Sequence, residues 1–573
     1  MKFFKKKRKN LEKNQKSFYY NDYSQENRIQ VKSDRSIEIS KSKIVFTFFI
    51  ILSVTAILSI KILYLSFFET QPFSNIFDRK NFLSERADII DRNGEILARS
   101  VNAWAAGISP KLIKNQKRLL LNLKIIFPSL DLKKVEEQIL KEKFFYISRR
   151  LNNVERDKLW LLANKAVIIE RKQTRIYPQN NLFSHVIGQI DHDNFGVSGI
   201  EKSYDLELKR ANFKNEGLKL SLDTNLQFLI RSELFNGIQQ FSAKGGAALL
   251  MNINTGEILS LVSLPDYNLM DRADIKDLQF MNKITLGVYE LGSVFKTFTV
   301  AAALNHKIVD VNTEFKNLES QMNCGGKWIN EHDELPKNLS VEQILVRSSN
   351  IGAVKIARKV GVKNYSDFLN SLGLLKKIKF DLTEVGTPLP FTWGNCTLET
   401  ASYGYGITTT PLQLARAYAI IGNGGYEIDP TLIKNDNFNY VLDKKIISEK
   451  NSEKINKILR KVVNETQGTA NLANIDGYDI GGKTGTAKKI VNGEYTKKKL
   501  NTFVSIFPIQ SPQHVLLVLL DEPQPAPELV YLYNGNKVSN IQRNTAGWNS
   551  VYVAGRIVEK IGPILATNNF NSF

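Results

Sequence analysis

The sequence predicts an α+β protein carried on a single membrane-spanning helix. Three observations predict it. An uncharged run, "IVFTFFIILSVTAILSI" (Ile44 to Ile60), opens an apolar stretch that continues past Lys61 to Phe68. Two β-rich hairpin patterns, "GGAALLMNINTGEILSLVSLP" and "KTGTAKKIVNGEYTKKK", lie on either side of a helical middle. A buried strand pattern, "HVLLVLL" (514–520), follows the second hairpin, so the two ends of one domain can share an antiparallel sheet.

The apolar run is long enough to span. A hydrocarbon core of ~30 Å needs roughly 20 apolar residues, and residues 44–68 supply them if Lys61 snorkels to the far interface. Residues 1–43 carry thirteen Lys or Arg against five acids, which places this basic tail on the cytoplasmic side and the rest of the chain outside. The flank "LSFFETQPFSN" has no small-x-small cleavage pattern, so the segment reads as an uncleaved anchor and not a signal peptide. The formal net charge of +21 admits nucleic acid, a membrane surface or an anionic polymer as partner. Beside a span, "KKKRK" reads as a membrane-flanking patch, and nucleic acid is not expected.

Residues 69–85 read as a juxtamembrane linker. "RADIIDRNGEILARS" predicts a hairpin turning at Asp91 to Gly94. Residues 110–168 are expected to be mostly helical, and "RIYPQNNLFSHVIGQI" returns to strand and turn. The region 69–215 is α+β and shows no chemistry of its own. From 216 to 573 a second domain is expected. It starts with a helix capped by Asp223 or Thr224. A later helix begins at Thr410, with Pro411 at its first position, Gln413 closing a capping box and Gly422 at its end. Asn492-Gly493 favours a type I′ turn in the second hairpin. The chain has two cysteines, Cys324 and Cys396, and nothing in the sequence shows them close, so a disulfide stays open. With no CxxC, no HExxH and five scattered histidines, no protein-built metal site is expected.

Chemistry concentrates in three short stretches. In "YELGSVFKTFT", Ser293 and Lys296 stand three apart and share one helix face. Ser293 falls at the first turn, where the helix dipole favours a developing oxyanion. Gly292 permits a tight approach, and Val294, Phe295 and Phe298 bury the surroundings. A desolvated lysine loses its proton readily and can then take the serine's. Read in isolation, S-x-x-K is a capping serine with a surface lysine. The second stretch, "LSVEQILVRSSNIGAVKIA", is helix, break, helix, with Ser340 and Gln343 capping the first helix and Ser348-Ser349-Asn350 at the break. In isolation it is again a helix cap. The third, "IGGKTGTAKKI", places Lys483, Thr484, Gly485 and Thr486 on a strand. "GKT" also brings a phosphate-binding loop to mind, but a hairpin follows where such a loop needs a helix.

S-x-x-K, S-x-N and K-T-G in this order are the set found in penicillin-binding proteins and serine β-lactamases. The chain resembles the class B penicillin-binding proteins over about 500 residues, and "YELGSVFK" and "SSNIGA" resemble the division-specific branch more than the elongation branch. "RADIIDRNGEILA", "HVIGQIDHDNFGVSGIEKSYD", "GYGITTTPLQLARAYAIIGNGG" and "TAGWNS" are similar to further signatures of the class. Leu291 departs from the proline common there.

The resemblance implies a pedestal domain at 69–215 and a penicillin-binding transpeptidase domain at 216–573, with helices on both faces of an antiparallel sheet and a helical subdomain. It implies that Ser293 attacks the D-Ala-D-Ala carbonyl of a peptidoglycan stem peptide, with Lys296 as base. Ser348 would relay a proton to the leaving D-alanine, held by Lys483. Asn350 would bind a substrate amide, and Thr484 and Thr486, with Gly485 between them, the terminal carboxylate or its β-lactam mimic. The backbone amides of Ser293 and Thr486 would form the oxyanion hole. No cofactor is implied. The implied partners are stem peptides, lipid-linked nascent glycan, an FtsW-type membrane glycosyltransferase and other division proteins, at the inner membrane and its septum. Other readings stay open: an elongation-type enzyme, a D,D-carboxypeptidase, or a β-lactam sensor without turnover. Two are less well matched. A class A β-lactamase would need a deacylating glutamate, and the nearest stretch, "TEVGTPLP" with Glu384, reads as a turn. Residues 69–215 are too short for a glycosyltransferase domain and lack its acidic motifs.

Overall fold

The computed structural model describes residues 43, 45–63, 86–191, 193–210, 216–270, 278–434, 444–491 and 493–570. The chain divides into two compact units, Met1–Leu83 and Ser84–Phe573. In the first, Val45–Leu63 is one helix of 19 residues with mean hydropathy 2.3 and no residue buried. Its length and composition fit a single-pass anchor. Ile44, residues 64–68 and the predicted linker 69–85 lie outside the described residues.

Near the start of the second unit, the short strand Ile89–Ile90 leads into the Asp91–Gly94 turn. Asp91 N donates to Glu95 O at 2.9 Å, and Gly94 takes φ +91. Behind it runs the long strand Ile96–Ile108, which pairs antiparallel with Ile89–Ile90, Phe145–Leu151 and Val167–Ile176. Residues 110–168, expected mostly helical, contain three helices, Gln116–Ile126, Leu132–Leu140 and Asn153–Leu161, but also the strand Phe145–Leu151. That strand forms because Trp104–Ile108 offers it an edge, a pairing 40 residues away that local periodicity does not carry. The segment 177–190, expected as strand and turn, holds a short helix, Ser184–Ile187. Leu119, Leu123, Val135 and Leu159 from the helices close a small core against Ala106 and Ile108.

Where this module meets the larger one, buried charges are paired. Glu201 accepts from Arg86 and, at 2.8 Å, from Arg175, while Arg86 also reaches Asp205 at 2.7 Å. Asp91 accepts from Thr224 N and Oγ1, next to the start of Thr224–Gln240. Asp223 is the N-cap of that helix, accepting from Asn225 N and Leu226 N.

The larger module is built on one antiparallel sheet of five strands. Its order is Gly481–Val491, Glu494–Phe507, His514–Asp521, Gly245–Asn252 and Ile258–Leu264. The chain's early and late strands therefore share one sheet, with the helical middle folded around it. Its central strands are buried along nearly their whole length, as a sheet covered on both faces requires. Thr224–Gln240 and Ser550–Phe570 pack together and against the sheet, and Pro411–Gly422 and Glu449–Asn464 cover it from the helical middle. Thr410 and Gln413 form the expected capping box, with Pro411 at the first position. The cysteines left open by the sequence are joined: Cys324 and Cys396 form a disulfide with a Cα–Cα distance of 5.7 Å.

Candidate active site

The strand Gly481–Val491 lies at the edge of the sheet, and the turn carrying Ser293 packs against it. Ser293 sits in a 3-10 turn, Gly292–Phe295, and the α-helix starts at Lys296. The sequence pattern predicts an α-helix from about Ser293; the tighter turn results from clamping on both sides. Gly292 takes φ +64 and donates to Gly404 O at 3.2 Å. A Cβ on Gly485 would stand 2.2 Å from Leu291 O, and one on Gly404 would stand 2.0 Å from Gly292 O. What the missing side chain of Gly485 admits is thus the chain's own Ser293 turn.

Lys296 is fully buried, its aliphatic stem enclosed on the helix that carries Phe298 and Val300. Its Nζ donates to Ser348 Oγ at 3.1 Å, to Asn350 Oδ1 at 2.6 Å and to Ser348 O. Lys483, also fully buried, donates to the same Ser348 Oγ at 2.9 Å and to Thr484 O at 3.1 Å. Two buried lysine side chains thus converge on one hydroxyl. Burial pushes Lys296 down to about 7, and the Glu331 charge opposes part of that fall. Burial, and then the Lys296 charge, holds Lys483 well below the usual lysine range. A lysine near 7 is a competent base at neutral pH.

Ser348 takes φ +60, an uncommon conformation for a residue with a side chain, and this turns its hydroxyl toward both lysines. Ser349 caps the helix Asn350–Val360, accepting from Gly352 N at 2.9 Å. Thr484 is buried with its hydroxyl 2.8 Å from Thr469 Oγ1, and Thr486 Oγ1 accepts from Ala546 N at 3.0 Å. Ser293, Lys296, Ser348, Asn350, Lys483, Thr484, Gly485 and Thr486 therefore meet in one place, drawn from a helix start, a helix break and an edge strand.

Residues 477–484 satisfy the G-x-x-x-x-G-K-[ST] spacing of a phosphate-binding loop. The fold excludes that use, because Lys483 lies within the strand Gly481–Val491 and no helix follows it.

Two acidic residues at the site were not legible in the sequence. Glu290 accepts from Gly406 N at 2.9 Å and from Tyr495 OH at 3.0 Å, joining the Ser293 turn to the hairpin after Lys483. Burial raises its carboxyl above the usual range. Glu331 follows the strand Lys327–Asn330 and accepts from Asn350 N at 2.7 Å and Ile351 N at 2.9 Å. Neither belongs to a spacing motif. Both act across turns that only the folded chain brings together.

Residues 246–545 match the penicillin binding protein transpeptidase domain, and residues 82–214 match the penicillin-binding protein dimerisation domain. The chain belongs to the penicillin-binding protein transpeptidase family. Within that class it resembles the probable peptidoglycan D,D-transpeptidase FtsI of Caulobacter vibrioides, with 30% identity over 84% of this chain and 81% of that one. It also resembles the probable peptidoglycan D,D-transpeptidase PenA of Neisseria gonorrhoeae, with 28% identity over 80% of this chain and 83% of that one. Among solved structures, penicillin binding protein 3 of Mycobacterium tuberculosis, complexed with aztreonam, shares the fold. The TM-score is 0.62 at 22% identity, over 84% of this chain and 96% of that one.

Proposed function

We propose that this chain is a membrane-anchored peptidoglycan D,D-transpeptidase of the division type, working through an acyl-serine intermediate. The observation that carries the reading is the buried pair Lys296 and Lys483 on Ser348, with Lys296 one turn along the chain from the half-buried Ser293. In the first half-reaction Ser293 Oγ attacks the carbonyl carbon of the penultimate D-alanine, and its proton passes to neutral Lys296. Backbone amides of Ser293 and Thr486 hold the oxyanion. The peptide C–N bond breaks, and the leaving D-alanine nitrogen takes a proton through Ser348, which Lys483 orients. In the second half-reaction an amine of a neighbouring stem peptide attacks the acyl-serine, forms the cross-linking amide and returns Ser293 to its hydroxyl form.

Asn350 would hold a substrate amide, and Thr484 and Thr486 the terminal carboxylate. An edge strand supports this reading, since its outer backbone groups can pair with an extended peptide. No cofactor enters the scheme. Residues 1–43 would be cytoplasmic, 44–68 the inner-membrane anchor, 69–215 the pedestal and 216–573 the transpeptidase domain. Glycan polymerisation would then fall to a partner, an FtsW-type glycosyltransferase at the septum.

Fluorescent penicillin tests the chemistry. The detergent-solubilised protein is expected to take a covalent label stable for hours, and Ser293→Ala none. A label lost within seconds would place the chain with β-lactamases. A folded parent that takes no label would overturn Ser293 as nucleophile.

A further inference from the structure

We propose that Glu331 is a positioning residue of this reaction, setting where Ser348 and Asn350 meet Lys296. The inference rests on the acyl-transfer reading above and extends it to a residue outside the three motifs. Glu331 reaches the site from the end of a two-stranded hairpin, Gln321–Cys324 with Lys327–Asn330. Its two carboxylate oxygens accept three hydrogen bonds: Ser349 Oγ at 2.5 Å, Asn350 N at 2.7 Å and Ile351 N at 2.9 Å. A carboxylate at this point satisfies the first amides of the 11-residue helix Asn350–Val360 and lies at the positive end of its dipole.

The consequence reaches the base directly. The same Asn350 whose amide Glu331 holds accepts from Lys296 Nζ through Oδ1, and its Nδ2 donates to Asn330 O at 2.7 Å. One hairpin therefore fixes both the backbone and the side chain of Asn350. Ser348, one residue before the Ser349 hydroxyl that Glu331 binds, keeps its φ of +60 only while its surroundings over-determine it. The hairpin is itself tied down by the Cys324–Cys396 disulfide, directly before the helix Thr397–Ser402.

The groups facing Lys296 come from three elements. Lys483 approaches from the strand, Ser348 and Asn350 from the helix break, and Glu331 and His332 from the hairpin. Burial, then the Lys296 charge, pushes His332 down to about 4, so it is neutral through the working range. Asp333, its carboxylate 3.7 Å from His332 Nε2, opposes that fall, and the Lys483 and Arg543 charges add to it. Glu331 is thus the negative charge that acts on Lys296, and it favours the protonated lysine.

The test measures the rate of fluorescent-penicillin acylation against pH in the full chain, for the parent, Glu331→Gln and Glu331→Asp. Ser293→Ala serves as the unlabelled control. Glu331→Gln keeps the size but replaces one accepting oxygen with a donor. It is expected to acylate on the order of ten to a hundred times more slowly, as a displaced reactive group does. Its rising pH limb is expected to move to lower pH, because Lys296 loses the charge that held its proton. Glu331→Asp is expected to keep the parent's limb at a reduced rate. A purely structural cap would move the rate or the thermal midpoint but not the limb. Glu331→Gln with the parent's rate and limb overturns the proposal while leaving Ser293 chemistry intact. Glu331→Asp at the full parent rate overturns it as well, and decides the matter alone if the glutamine variant does not fold. A parent that takes no label overturns the acyl-transfer reading, and this inference with it.

Discussion

Two places in this molecule bury two cations each, and they do so in opposite ways. At the junction of the smaller and larger modules, Arg86 and Arg175 both bind Glu201, and Arg86 also binds Asp205. Burial alone would pull Arg86 down, but those carboxylates hold it above its usual value. At the site, Lys296 and Lys483 share a serine hydroxyl, and both fall. Burial is common to the two places; the partner decides the outcome. A carboxylate keeps the cation charged and makes a structural clasp. A neutral hydroxyl lets the charge go, and a lysine without its proton is a base.

The largest expected effect breaks the second place and spares the fold. Lys296→Met should lower penicillin acylation by ~10²–10⁴-fold, the usual worth of a general base. The thermal midpoint should stay level or rise, since an apolar chain replaces a buried amine. Arg86→Met should do the reverse. It leaves Glu201 with Arg175 alone and takes the guanidinium from Asp205, which should cost about 3 kcal/mol in chemical unfolding, while each folded molecule labels at the parent rate. If both variants lose stability equally, the contrast between the two places fails.

The pH profile sharpens the contrast further. In the proposed mechanism Lys296 must be neutral to accept the Ser293 proton, so acylation should rise as pH rises. The increase should be about tenfold per unit below the Lys296 value of about 7, levelling above it. A rate that instead falls between pH 5 and 7 would remove Lys296 as the base. The smallest effect lies far from either cluster. Thr410→Ala removes the cap of Pro411–Gly422 and should cost about 1 kcal/mol in unfolding, with labelling per folded molecule unchanged.

Elements set by local signals form as the sequence predicts, and those that depart from it share a cause. The capping boxes at Ser340 and Thr410 are four-residue signals, closed within one turn of chain. The hairpin around Asn254-Thr255-Gly256 and the strand at His514–Asp521 are short patterns of the same kind. Phe145–Leu151 carries no local strand signal because it becomes a strand only beside Trp104–Ile108. The Ser293 turn is 3-10 because Gly404 and Gly485 press on it from 111 and 192 residues away. Glu290 and Glu331 stayed invisible because a carboxylate that caps a distant helix or holds a distant tyrosine has no period.

The sequence by itself determined the apolar helix, the α+β character, the pattern of strands around a helical middle and the order of three motifs. Each depends on neighbours within a few residues, where propensity and periodicity act. Only the tertiary structure decided which hydroxyl both lysines share, that Cys324 meets Cys396, and that Glu331 holds the helix carrying Asn350. Those are matters of desolvation and distance between remote segments. A lysine's proton affinity is set by what surrounds it, and the surroundings exist only once the chain has closed over it.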